Sequence, residues 1–298
     1  MSALPLSVHV FRRSHAILGE SLVAQTIQSQ PAMWWCDITA GLIHRSMVRG
    51  QRDGSSDATI ALPAPVCSFH PAVVERLEGF VVSLADSVVL TDSDGRIIRQ
   101  LAHIDHGHPG LRLNEGKVDP YGRWVTGSMN LTTGDPDGAF YSVSEQGDVR
   151  VLRGGITVAN GLEWSLDGSR IFFTDTGVKS IYTGAYSPDG EVTDIEVFIH
   201  GEAHDGLTID RNGNFWSAIY GAGCVVHYDS AGVEKFRIDL PAPNVTSVAF
   251  GGAGRSTLYV TSARENLTEE QLEAHPLSGS VFAIETDTAG RPPNVFGS

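Results

Sequence analysis

The chain has little with which to build a disulfide framework or a zinc knuckle. Its cysteines, Cys36, Cys67 and Cys224, are odd in number and far apart, and no CxxC pair occurs. No stretch approaches the roughly 18 apolar residues needed to span a bilayer. The N-terminus, MSALPLSVHVFRRSHAILGE, lacks the basic start followed by a long apolar run that secretion requires. Basic charge is scarce: 21 Lys and Arg stand against 35 Asp and Glu, a formal net charge of −14. A field of that sign repels nucleic acid and anionic membrane and tends to attract cations. Helical periodicity is almost absent, which argues against helical solenoids. There is no GxSxG elbow, no HExxH helix and no P-loop, so serine-hydrolase, zincin and nucleotide-dependent chemistry are disfavoured. These absences leave a soluble, cytoplasmic protein with neither nucleic acid nor membrane as its partner.

What is present is strand material. Hydrophobic residues make up 41% of the chain, Gly accounts for 33 residues and charged residues for only 19%. That mixture suits many short strands joined by tight turns. Strand-like clusters with a central aromatic recur at Trp34, Phe80, Trp124, Phe172, Trp216 and Tyr259, in steps of 46, 44, 48, 44 and 43 residues. Each is followed by a turn and a further short alternating run, such as SDGRIIRQL or SEQGDVRVL. Six units of about 45 residues, each with several strands, predict a six-bladed β-propeller with a central channel, all-β and a single domain over 1–298. Trp34, Trp124 and Trp216 hold the anchor position of the repeat and are expected to pack between blades. One short helix is expected at TEEQLEAH, with Thr268 as its cap and Gln271 completing a capping box.

A second recurring strand precedes each anchor. Aligning these strands places Glu20, Asn114, Asn160, Asp205 and Thr246 in one slot, while the second unit is degenerate and offers Cys67 or Ser68. The innermost strand of a blade lines the channel, so one slot of the repeat converges on the axis from separate blades. Polar groups gathered there need water, one another or a cation to satisfy them. Taken singly, Asn114 and Asn160 also read as turn formers, and Glu20 after Gly19 as a surface turn acid. Two carboxylates with amide oxygens form a hard, oxygen-only set suited to Ca²⁺, Mg²⁺ or Mn²⁺.

The segments LGES at 18–21, RLNEGKVDPYGRWVTGSM at 112–129 and NGLEWSLDGSRIFFTDT at 160–176 resemble the gluconolactonase/regucalcin (senescence marker protein) family of sugar lactonases. HDGLTIDRNGNFWSAIYGAG at 204–223 and TSVAFGG with LYVTSAR at 246–264 extend the resemblance, in order, over nearly the whole chain. The resemblance implies a six-bladed propeller that opens an aldonolactone to the aldonic acid with one divalent metal ion, whether Ca²⁺, Mg²⁺, Mn²⁺, Zn²⁺ or Fe²⁺. It puts the metal ligands at Glu20, Asn160 and Asp205, the substrate contacts at Arg112 and Asn114, and the general base at Asp205. A hydroxide on the metal, with no protein base, is the alternative. The expected partner is a small-molecule sugar lactone, and the expected state a monomer or homodimer.

Three positions depart from the family pattern. SLVAQ follows the first Gly-Glu where a Ser/Gly-Pro-x-Trp stretch is usual, Glu115 stands for the usual Asp, and Thr132 occupies the spacing of a substrate-contacting acid. The loop HIDHGHPG, with His103, His106 and His108, offers a second metal site, a wall of the channel mouth, or a solvated loop. Competing functions are an arylesterase or phosphotriesterase using the same metal, and a non-catalytic calcium-binding propeller.

Overall fold

A computed structural model describes residues 6–49 and 57–297. The strands form six four-stranded antiparallel sheets. The inner strands are β2 (Gly19–Ile27), β6 (Ser68–Val74), β10 (Leu111–Val118), β14 (Ala159–Trp164), β18 (His204–Ile209) and β22 (Val245–Gly251). Each packs against the next and β22 against β2, which closes a ring: the chain is a six-bladed β-propeller. Every aromatic anchor falls on the second strand of its blade, from Trp34 on β3 (Gln30–Asp37) to Tyr259 on β23 (Thr257–Ser262). The period seen in the sequence is thus the blade itself.

The core lies in the seams between blades. The Trp124 indole donates to Ser83 Oγ of the preceding blade at 2.9 Å. Trp34 meets Phe80 edge-on at 5.0 Å, and Trp216 meets Phe250 at 5.7 Å. Such aromatic pairs add roughly 0.5–1.5 kcal/mol each beyond area burial, so the anchors hold the ring as well as fill it. The expected helix is α1 (Glu269–Ala274), with the Thr268–Gln271 capping box formed.

Two devices close the ring. The N-terminal strand β1 (Val8–Arg12) pairs with β24 (Val281–Glu285), completing the last sheet in the order β1-β24-β23-β22. The C-terminal tail then crosses one mouth of the channel. Its backbone bonds in turn to Arg211, Arg255, Pro71, Val73 and Gly122, and Asn294 Nδ2 donates to Val118 O at 2.9 Å. Phe296 is fully buried at the end of this strap, in the cluster that holds Val118, Val74 and Trp124. No helix of the described residues is long and apolar enough to cross a membrane.

Candidate active site

At the opposite mouth the inner strands do something irregular. The pairing register breaks at Glu20/Val23, Leu113/Gly116, Asn160/Leu162, His204/Leu207 and Val245/Val248. Each break is a β-bulge at or beside the slot residue, and bulges re-aim side chains. The inner strand of the second blade, β6, pairs with no break, and its slot is the one the sequence shows as degenerate. Asn114 and Asn160 are therefore not turn formers, and Glu20 is not a surface acid; all lie buried within inner strands.

The residue after the slot explains the Asn-Gly and Asp-Gly pairs. A Cβ on Gly161, whose φ is +27°, would stand 2.5 Å from Asp205 O; one on Gly206 would stand 2.7 Å from Ser247 Cα. The neighbouring blade's backbone leaves no room for a side chain there. In the first blade the same place is taken by Ser21 at φ +56°, held by bonds from Ser21 Oγ to Phe69 O and from Phe69 N to Ser21 Oγ. That strained residue is tied to the next blade by its own hydroxyl.

A directed chain of hydrogen bonds joins the slot. Arg112 Nη1 donates to Asn114 Oδ1 at 2.5 Å and to Leu113 O at 2.8 Å. Asn114 Nδ2 donates to Asn160 Oδ1 at 2.9 Å and to Ala159 O at 3.0 Å. Asn160 Nδ2 donates to Thr176 Oγ1 at 2.9 Å, and Thr176 Oγ1 to His204 O. Both N–H groups of Asn114 and one of Asn160 are thus spent on the wall, and each amide oxygen accepts one bond and keeps a second lone pair.

Beside this chain sit two buried carboxyls, Glu20 and Asp205, and the half-buried Glu115, with too little opposing charge. Burial first, then Glu115, raises the Glu20 carboxyl to about 8, although Ser21 N–H and Arg112 oppose the rise. Asp205 is raised well above the ordinary carboxylate range by burial and by Glu20 and Glu115. Glu115 is likewise raised, chiefly by burial, against the pull of Lys117. Asp205 Oδ1 is buried with no hydrogen-bond partner among the described residues. Uncompensated buried acceptors are costly unless a partner such as a cation satisfies them. No three His, Cys, Asp or Glu side chains gather as a metal-holding group among the described residues. A cation here would therefore need the Asn160 amide oxygen beside the carboxylates of Glu20 and Asp205, and that set fits a hard divalent ion.

The remaining candidates separate. The three histidines diverge to different partners: His108 Nε2 to Asp137 at 2.7 Å, His106 Nε2 to Ala85 O at 3.0 Å, and His103 Nδ1 to Asp86 at 3.9 Å. They form a loop wall with Asp105 and Leu111 rather than a second metal centre. Thr132 is exposed and donates to Asn130 Oδ1 at 2.9 Å, tying down its own loop. The slot position of the second blade brings Cys67 Sγ to 4.0 Å from Arg112 Nη1.

Sequence reasoning passed over Lys117, Glu163 and Arg291, which meet deeper in the channel. The available signal was their spacing: Lys117 and Glu163 each follow a slot residue by three positions. His204, next to Asp205, was also missed; it is fully buried, held neutral by burial with its proton affinity lowered to about 4, and bonded to Ser217 Oγ.

The fold and this cluster define a class: a β-propeller carrying an acid-and-amide site at one mouth of its channel. Residues 18–264 match the family described as SMP-30/Gluconolactonase/LRE-like region, and the chain belongs to that family of sugar lactonases. It is 33% identical to a 6-deoxy-6-sulfogluconolactonase of Pseudomonas putida over 95% of this chain and 96% of that one. It is 30% identical to the pentonolactonase XacC of Haloferax volcanii, covering 87% and 88% of the two chains. Among solved structures it superposes on a calcium-binding protein, regucalcin, from Agrobacterium tumefaciens str. C58, with a TM-score of 0.89 at 26% identity over 99% of both chains.

Proposed function

We propose that this protein hydrolyses an aldonolactone to the aldonic acid, using one divalent cation held by Glu20, Asn160 and Asp205. The observation that carries the reading is the buried, unpartnered Asp205 Oδ1 among carboxyls that burial and mutual repulsion make reluctant to ionise. The lactonase names of the relatives support the reaction class. A bound divalent cation at these oxygens would supply Lewis-acid polarisation of the lactone carbonyl and acidify water.

The chain's own groups do the rest. Asn114 and Asn160 are locked by the relay from Arg112 to His204 O, so that Asn114 would hold the lactone while the remaining lone pair of Asn160 Oδ1 would face the cation. Arg112 lies at the head of that relay, and its guanidinium stabilises charge developing on the carbonyl oxygen. Asp205 takes a proton from the attacking water as its oxygen bonds to the carbonyl carbon. The bond from that carbon to the ring oxygen then breaks, and Asp205 returns the proton to the leaving oxygen. No covalent intermediate is required, because a lactone is already an activated ester. The buried, unpaired Cys36, Cys67 and Cys224 suit a reducing, cytoplasmic setting.

The test is a pH-stat assay over aldono-1,4- and 1,5-lactones, phenyl acetate and paraoxon. Chelator-treated protein is reloaded separately with Ca²⁺, Mg²⁺, Mn²⁺, Zn²⁺ or Fe²⁺. Metal-dependent opening of one or more aldonolactones is expected. Preference for phenyl acetate or paraoxon would move the assignment to an esterase or phosphotriesterase. Metal binding without turnover of any substrate would leave a calcium-binding propeller.

A further inference from the structure

Below the carboxyls, the Lys117 ammonium sits in an oxygen cage. It donates to Leu162 O at 3.0 Å, to Leu207 O at 3.0 Å and to the Glu163 carboxylate at 3.2 Å. These groups belong to three successive inner strands, β10, β14 and β18. The same strands carry Asn114, Asn160 and Asp205 one turn of the pleat higher, and the bonded carbonyls lie two residues beyond Asn160 and Asp205. Each inner strand is the edge of its sheet, so its unpaired peptide groups face the channel, and both carbonyls lie just beyond the bulges at Asn160/Leu162 and His204/Leu207.

Glu163 is itself fixed from the far side. Arg291 of the C-terminal strap pairs with its other oxygen, and Glu163 Oε1 also accepts from Trp164 N at 3.0 Å. Burial pushes the Glu163 carboxyl up, but Arg291 and Lys117 outweigh burial and hold it below its ordinary value. A small cavity of about 50 Å³ lies against Lys117, Glu163, Arg291 and His70.

We infer that Lys117 is a positioning residue for the site: its ammonium clamps the three inner strands that carry Asn114, Asn160 and Asp205 and so fixes the spacing of their oxygens. A bulge locally disrupts the ladder between an inner strand and its own blade and bends the strand. A point donor with three rotatable N–H groups restores the missing anchorage from the axis, where no further strand can pair. The inference rests on the metal-lactonase reading above, since it is the ligand spacing that the clamp serves.

The experiment uses the full chain, stripped with chelator and titrated by calorimetry with Ca²⁺ and with Mn²⁺, at a temperature where circular dichroism shows a fully folded protein. Lys117→Met is expected to weaken both affinities about tenfold or more, the range seen when groups supporting metal ligands are removed. Lys117→Ala with added ethylammonium is expected to regain part of that affinity, while ethylammonium leaves the wild type unchanged. A purely structural lysine would lower the melting temperature of Lys117→Met and leave the affinities alone; that result overturns the inference but not the lactonase reading. Should Lys117→Met not fold, Lys117→Gln takes its place, with the same expected loss and the same overturning result. A wild-type chain that binds neither ion overturns both.

Discussion

The two halves of the channel are built from the same six strands and are electrostatic opposites. At the lower half, Lys117, Glu163 and Arg291 form a closed triad in which each charge has a partner, and a strap covers the mouth. At the upper half, the charge of Glu115 bears on Glu20, the charges of both bear on Asp205, and Asp205 Oδ1 has no donor. A folded chain can satisfy a buried carboxylate when it has reason to, as Glu163 shows. Within a few residues of that solution the upper acids have no ion-pair partner among the described residues, Asp205 Oδ1 accepts no hydrogen bond, and a bound cation would relieve the imbalance.

The largest effect should come from removing the upper imbalance. Asp205→Ala is expected to reduce lactone turnover by about 10³-fold or more, since base and cation ligand go together. Asp205→Asn should at the same time raise the melting temperature of metal-free protein, because one of the repelling carboxyls is gone. A mutant that turns over normally with metal bound would sink the assignment of Asp205.

The lower half is tested by Phe296→Ala. Loss of this fully buried ring should cost about 3–5 kcal/mol in chemical unfolding. The added stability from saturating Ca²⁺ should be the same as in wild type, because that increment belongs to the other mouth. A smaller increment would show that the two halves are not separable in this way.

A third comparison uses pH. In metal-free protein Glu20 is raised from 4.5 to about 8, so the folded state holds a proton that the unfolded state releases. Stability from this group is complete below pH 4.5 and is lost as pH rises toward 8. In the lower half His70 behaves oppositely: burial lowers it from 6.5 to about 3, so its contribution is complete above pH 6.5 and is lost as pH falls toward 3. Melting curves of metal-free protein should therefore decline on both sides, and saturating Ca²⁺ should flatten the alkaline limb alone. An alkaline limb indifferent to Ca²⁺ would contradict the siting of the cation.

The smallest expected effect is that of Thr176→Val. It removes the acceptor that orients Asn160, a neutral hydrogen bond worth about 1 kcal/mol. Ca²⁺ affinity should fall by about fivefold on that energy, and unfolding should lose about 1–2 kcal/mol for the two hydrogen bonds given up, to Asn160 and to His204 O. No change in affinity would mean that the Asn160 amide is oriented by Asn114 alone.

The blades were legible because a propeller writes its core at a fixed period. Trp34, Trp124 and Trp216 recur since each must fill the same seam. The slot was legible for the same reason, down to the gap at Cys67 and Ser68, where the strand also lacks its bulge. The Lys117–Glu163–Arg291 triad was not. Two of its members sit beside slot residues and look like ordinary strand charges, while the third belongs to a tail whose docking has no period to betray it. Likewise HIDHGHPG has the letters of a zinc ligand set, yet its rings turn to Asp86, Ala85 O and Asp137 because a loop's backbone decides where neighbours point.

The strap across the lower mouth also governs how the ring can breathe. A closed ring of wedges deforms most easily by going oval, and a chord drawn across one rim suppresses that mode at that rim. Amide hydrogen exchange is then expected to be slower at the strapped base than at the lip where the 104–110 and 131–137 loops stand. A lactone entering at that lip would meet the less constrained rim first.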